Sequence, residues 1–264
     1  MRVAAVLFVI STPVLAQWLN YPTAGVPTNS KGQPDLAAPV PKTADGKPDL
    51  SGMWEPLKNK PCPSEGCADF QMPQEFGNIG WSLKGGLPYQ KWAADLRKAR
   101  MAENDKDDPG SHCMPTGLVK LHTTALFKKI IQTPGLIVIL NERNVEFRQI
   151  FTDGRPLPAD PDPTFNGFST GKWEGDTLVV QTNGIRDGEW LDRSGNPLTD
   201  AAKITERFRR PNYGRLEIEL TVDDPKAYTK PWTVNLVQTI VLNTEFFDYY
   251  CIDNEKDITH LVGK

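Results

Sequence analysis

From about Lys128 to Cys251, apolar side chains recur at every second position, and most of the runs end in a turn signal. Nine stretches read as strands: 128–133, 136–141, 145–151, 169–174, 177–183, 203–209, 214–222, 232–242 and 246–251. Pro134-Gly135, Asp153-Gly154, Glu174-Gly175-Asp176, Asn212-Tyr213-Gly214 and Asp223-Asp224-Pro225 supply the turn chemistry between them. Strands so close in sequence pair antiparallel. Nine of them in series without helical crossovers predict an all-β antiparallel meander. It must close into a barrel or a strongly curved sheet, because an open sheet would expose two unpaired edges. The 21 Gly and 23 Pro among 264 residues argue equally against a helical bundle.

The chain ahead of these strands has a different character. Met1–Ala16 carries one cation, Arg2, then an apolar run ending in Val14-Leu15-Ala16. This is the pattern of a secretory signal peptide cleaved before Gln17. The run is too short to span a bilayer, no later run is long enough, and no Cys at the cleavage point offers a lipid anchor. Residues 17–87 are Pro-rich and contain a small repeat, Gly32-Gln-Pro-Asp-Leu36 and Gly46-Lys-Pro-Asp-Leu50. They read either as an extended arm anchored through Leu50 and Trp54 or, over 17–45, as a disordered linker. Pro88 to about Asn104 reads as the one packing helix, with Tyr89, Trp92, Ala93, Leu96 and Ala99 on its buried face. The expected organisation is a signal peptide (1–16), an arm with a short disulfide loop (17–87), and a helix plus barrel (88–264).

Thirty Lys and Arg against 33 Asp and Glu leave a net charge of −3, so the basic surface that nucleic acid requires is missing. Gly-x-Gly-x-x-Gly and a Walker loop are absent, which removes the sequence case for nucleotide cofactors. No cofactor is expected. An oxidising compartment, periplasmic or extracellular, fits the four cysteines. Cys62 and Cys67 are expected to close their own short loop, which leaves Cys113 to pair with Cys251. The alternative is a metal site from Cys with His112, His122 or His260, but no compact ligand spacing supports it.

Several motifs occur in a fixed order: Pro48-Asp-Leu-Ser-Gly-Met-Trp54, Asp107-Asp-Pro109 followed by Cys113-Met-Pro-Thr-Gly117, Asp153-Gly-Arg155, Gly171-Lys-Trp-Glu-Gly-Asp-Thr-Leu-Val-Val180, Glu206-Arg-Phe208, Asp224-Pro-Lys-Ala-Tyr-Thr-Lys-Pro-Trp232 and Tyr250-Cys251. As a set they resemble a widespread family of secreted, largely uncharacterised bacterial proteins. The resemblance spans about residues 43–260 and implies a secreted protein with a lipocalin-like (calycin-type) barrel. It brings no catalytic residues with it.

The site must therefore be argued from polar residues on apolar faces. In a barrel, alternate residues of a strand point inward. Ile204, Glu206 and Phe208 share one face, so Glu206 is expected inside, with Arg207 opposite. Gln238 falls on the apolar face with Trp232. Either face of 145–151 suits the interior, which leaves Arg148 ambiguous. An inward Glu206 must be paired or protonated. One reading makes it a general acid or base, supported by Arg148, Arg207 or His122. The other is a structural Glu–Arg pair. Gln238, Phe208 and Trp232 would line a site for a small apolar or amphipathic molecule, with Asp153 and Arg155 either at its mouth or simply in a turn. Three functional classes follow: a binder of such a molecule in the barrel interior, a cofactor-independent isomerase, hydratase or lyase, and a filled structural barrel.

Overall fold

The computed structural model describes residues 21–58, 60–61, 71–104 and 106–251. Nine strands close into one barrel. They are β1 (Gly52–Pro56), β2 (Lys128–Thr133), β3 (Leu136–Asn141), β4 (Phe147–Phe151), β5 (Phe168–Glu174), β6 (Thr177–Asn183), β7 (Lys203–Asn212), β8 (Arg215–Asp223) and β9 (Trp232–Val241). Each pairs with the next in sequence, and β1 closes the ring by pairing with both β2 and β9. The helices are short: α1 (Gln74–Gly77), α2 (Lys91–Ala102) and α3 (Lys120–Thr123). No helix among the described residues is long and apolar enough to cross a membrane.

Alternation builds the core. On β8, Leu216, Ile218, Leu220 and Val222 are buried while the residues between them reach the surface. Each such side chain contributes about 2–3 kcal/mol by leaving water. On β4 the same alternation buries Arg148 and Ile150 and turns Phe147 and Gln149 outward, which resolves the face of this strand.

Three expectations need correction. The division of the chain at residue 87 does not hold, because β1 lies inside the expected arm and is a barrel strand. Trp54 from β1 is fully buried, donates its indole N–H to Leu50 O at 3.0 Å and lies under the Arg210 guanidinium. Residues 246–251 form no barrel strand. The edge of β9 is already taken by β1, and only Tyr249 pairs, through a bridge to Arg143. Over residues 21–58 the arm forms turns and bridges rather than a disordered linker. Both copies of its repeat fold alike: Gly32 N–H donates to Asn29 O and Asp35 N–H to Pro27 O, just as Gly46 bonds Thr43 O and Asp49 bonds Pro41 O. α2 starts at Lys91, with Ala93 buried but Trp92 and Ala99 exposed, since Trp92 donates its indole N–H to Lys226 O at the surface. Cys113 and Cys251 lie at disulfide distance, Cα to Cα 5.4 Å. The signal-peptide segment, Cys62, Cys67 and His260 fall outside the described residues.

An odd ring cannot alternate direction throughout, so at least one pair of neighbours must run parallel. That seam lies between β4 and β5, which pair only through Ile150 with Ser169 and Phe151 with Thr170. A parallel pair needs a return connection along the barrel, and residues 152–167 provide it. Gly167 ends the return with φ of +60°, where a methyl group would come within 2.5 Å of Asn183 O and 2.8 Å of Thr182 Cγ2. Gly167→Ala is expected to lower stability by about 2–3 kcal/mol through strain and overlap together. Chemical denaturation checks this against Gly154→Ala, whose φ of +90° meets no neighbour within 4 Å and isolates the backbone term.

Candidate functional site

Six strands and α3 contribute polar side chains to one level of the barrel, and all are buried: Lys128 (β2), Arg148 (β4), Ser169 (β5), Thr182 (β6), Glu206 (β7), Gln238 (β9) and His122 (α3). They form one continuous hydrogen-bonded belt. Arg148 grips Glu206 with both terminal nitrogens, Nη1 donating to Oε1 at 3.0 Å and Nη2 to Oε2. Its Nε and Nη2 also reach Ser169 Oγ at 3.2 and 3.1 Å, and Nη2 reaches Thr182 Oγ1 at 3.1 Å. His122 Nε2 lies 2.7 Å from Glu206 Oε1. Gln238 donates to His122 O at 3.0 Å and accepts from Lys128 Nζ at 2.7 Å.

Burial and pairing set the charges. Burial alone would raise the Glu206 carboxyl, but the Arg148 charge and the His122 hydrogen bond outweigh it and hold it at about 2. Burial lowers the His122 imidazole, and this prevails over the opposing Glu206. The coherent state is therefore a carboxylate accepting from Arg148 and from a neutral His122 protonated on Nε2. His122 Nδ1 has no partner. Burial also brings the Lys128 amine down to about 7, opposed only by the Glu55 charge.

The interior is filled at this belt. Accessible surface includes the walls of internal chambers, and Glu206, Arg148, His122, Phe208 and Gln238 each have at most 2%. A cavity of about 40 Å3 between α3 and β9, lined by His122, Thr123, Leu236 and Gln238, has room for water but not for a ligand. This corrects the expected interior chamber: Phe208 and Trp232 pack in the core, Trp232 edge-on to Tyr228 at 5.5 Å. Both Glu206 oxygens are occupied, which disfavours acid–base chemistry there. The structure brings Glu206, Arg148, His122 and Gln238 together. It separates Arg207, which faces outward and pairs with Glu174 at 3.0 Å. It also separates Asp153 and Arg155, an exposed pair at 2.6 Å at the start of the return connection, with Arg155 stacked over Phe151. Among the described residues no group of three or more His, Cys, Asp or Glu is arranged to hold a metal.

The seam supplies a ligand-sized space instead. Where β4 and β5 cease to pair, a groove of about 420 Å3 opens, and both faces of the unpaired strand line it. Glu146 and Arg148 come from the inner face. Phe147 and Phe151 come from the outer face, and Phe165 and Phe168 stand opposite. Phe147 is 62% exposed and Phe168 37%. Beyond Phe165 lies Glu189, whose carboxyl burial raises to about 7 against the opposing charges of Arg186 and Lys120. Comparison with protein-family models and with curated proteins finds no match for this chain.

Lys128, Ser169, Thr182, Glu146 and the seam phenylalanines escape sequence reading. Parity with Ile130 could have marked Lys128 as inward. No local signal marks the groove, because it exists only where the parallel pairing ends.

Proposed function

We propose that this protein binds a small, mostly apolar or amphipathic molecule, and that it does so in the groove at the β4–β5 seam rather than inside the barrel. One observation carries the reading: phenylalanine side chains remain exposed on both sides of a break in the barrel wall, around a space of about 420 Å3. Exposed apolar clusters of this kind mark binding sites, and concave apolar walls with a few polar groups are what small ligands need. The filled core gives the groove a rigid frame. We place the protein in the periplasm or outside the cell, a reading supported by the Cys113–Cys251 pair and by the resemblance of its motifs to secreted bacterial proteins.

Phe147→Ala tests the site. The neutral fluorophore N-phenyl-1-naphthylamine should bind the native protein and lose about tenfold in affinity to the variant. Because Phe147 is mostly in water, the melting temperature should stay nearly unchanged. Equal affinity in the two proteins would move the site elsewhere. Absence of binding in the native protein would favour a structural barrel.

A further inference from the structure

Glu146 lines the groove and is 7% exposed. Its Oε1 accepts from the Thr116 backbone N–H and from Thr116 Oγ1 at 2.8 Å. Its Oε2 is buried and makes no hydrogen bond of good geometry, the Asn141 amide being the polar side chain that acts on this carboxyl. Among the described residues no cation pairs with it, although four stand in the surrounding region. Arg148 is committed to Glu206, Ser169 and Thr182. Arg143 donates to Gly110 O. Arg186 faces Glu189 at 3.6 Å and stacks on Phe165. Lys120 holds both oxygens of Asp108 at 2.7 Å. Burial raises the Glu146 carboxyl, and the Thr116 hydrogen bonds, the Arg143 charge and the Asn141 side chain oppose it only in part, so the ionised form still lacks a paired counter-charge. The walls beside it are phenylalanine faces, which attract cations.

We propose that the seam groove selects a protonated amine, whose N–H donates to Glu146 and whose apolar body lies on Phe147 and Phe168. This rests on the groove being the ligand site. An anionic ligand meets Glu146 as a like charge, and the Arg143 guanidinium, whose Nη2 is held by Gly110 O, already acts on that carboxylate. An uncharged ligand leaves the carboxylate without its counter-charge.

Three probes of one shape test the charge: 4-phenylbutylamine, 4-phenylbutan-1-ol and 4-phenylbutyrate, titrated into the full-length protein at pH 7 by calorimetry. The amine should bind at least about tenfold tighter than the alcohol, with the carboxylate weakest. Glu146→Gln should remove the preference for amine over alcohol, and Phe147→Ala should weaken all three probes. An alcohol that binds as tightly as the amine overturns the cation preference, and so does an amine preference that survives Glu146→Gln. In both cases sensitivity to Phe147→Ala leaves the groove itself standing. If no probe binds, or none responds to Phe147→Ala, the groove reading falls and this proposal with it. Should Glu146→Gln fail to fold, the native ranking of the three probes decides.

Discussion

Glu206→Gln is expected to destabilise the protein by about 3–5 kcal/mol at neutral pH, because it leaves the Arg148 guanidinium charged and sealed from water without its counter-ion. Arginine does not escape by losing its proton. Breaking a buried pair from one side is far more damaging than replacing both members. Glu206→Leu combined with Arg148→Met should therefore recover much of the loss. Arg207→Ala, one residue away but on the outer face, should change stability by less than about 1 kcal/mol, since its pair with Glu174 stands in solvent. Urea denaturation of the four proteins separates these cases. A Glu206→Gln variant as stable as the native protein would show that the belt is not structural.

The pH dependence gives a second check on the same pair. The Glu206 carboxyl lies at about 2 when folded against 4.5 as the ordinary value. Its contribution, about 3 kcal/mol, is fully present above pH 4.5 and disappears as pH falls toward 2, where the folded form must finally take the proton. Lowering of the His122 pKa acts in the same direction from a higher starting point: the unfolded imidazole gains a proton below about 6.5 while the buried one resists. Native stability should thus decline from pH 6.5 downward, with the steeper carboxylate limb below 4.5 absent from Glu206→Gln.

Parity explains what the sequence makes legible and where legibility ends. Along β7 the rule of alternate faces places Glu206 inside and Arg207 outside from the letters alone, and along β9 it places Gln238 inside. Along β4 it cannot decide, because Glu146, Arg148 and Ile150 oppose Val145, Phe147, Gln149 and Phe151, and both faces are mixed. Burial settles the matter only through a partner distant in sequence, Glu206. β1 is hidden for another reason. Gly52–Pro56 lies between Pro-rich stretches, and its strand character comes from the two free edges of β2 and β9 that it bridges. Exchanging 246–251 for β1 leaves the ring at nine strands, and because nine is odd a parallel seam follows by necessity once the ring closes. The groove is a consequence of topology, which is why no motif announces it.

Lys128→Met should stabilise the protein at pH 7 by several kcal/mol, at most about 5, when Gln238 is changed to Leu with it. The Lys128 Nζ is buried and its sole hydrogen bond in the belt goes to Gln238 Oε1, so an ammonium there would leave protons unsatisfied. Burial brings the amine from 10.5 to about 7. Between those values the unfolded chain holds a proton that the folded protein lacks, and stability must rise with pH across this window. Over the full window this amounts to about 5 kcal/mol, an upper bound that relaxation around a buried amine will reduce. Below pH 7 both states are protonated and the penalty is constant. Above 10.5 neither is, and the penalty is gone. The pair Lys128→Met with Gln238→Leu removes both the amine and the amide oxygen it would otherwise strand, while the loss of the Gln238 donor to His122 O takes back about 1–3 kcal/mol of the gain. Its advantage over the native protein should be greatest near pH 7 and shrink steadily toward pH 10. Denaturation midpoints for the two proteins, measured from pH 6 to 10, test this directly, and a difference that stays flat or widens with pH would mean that Lys128 is charged in the folded barrel.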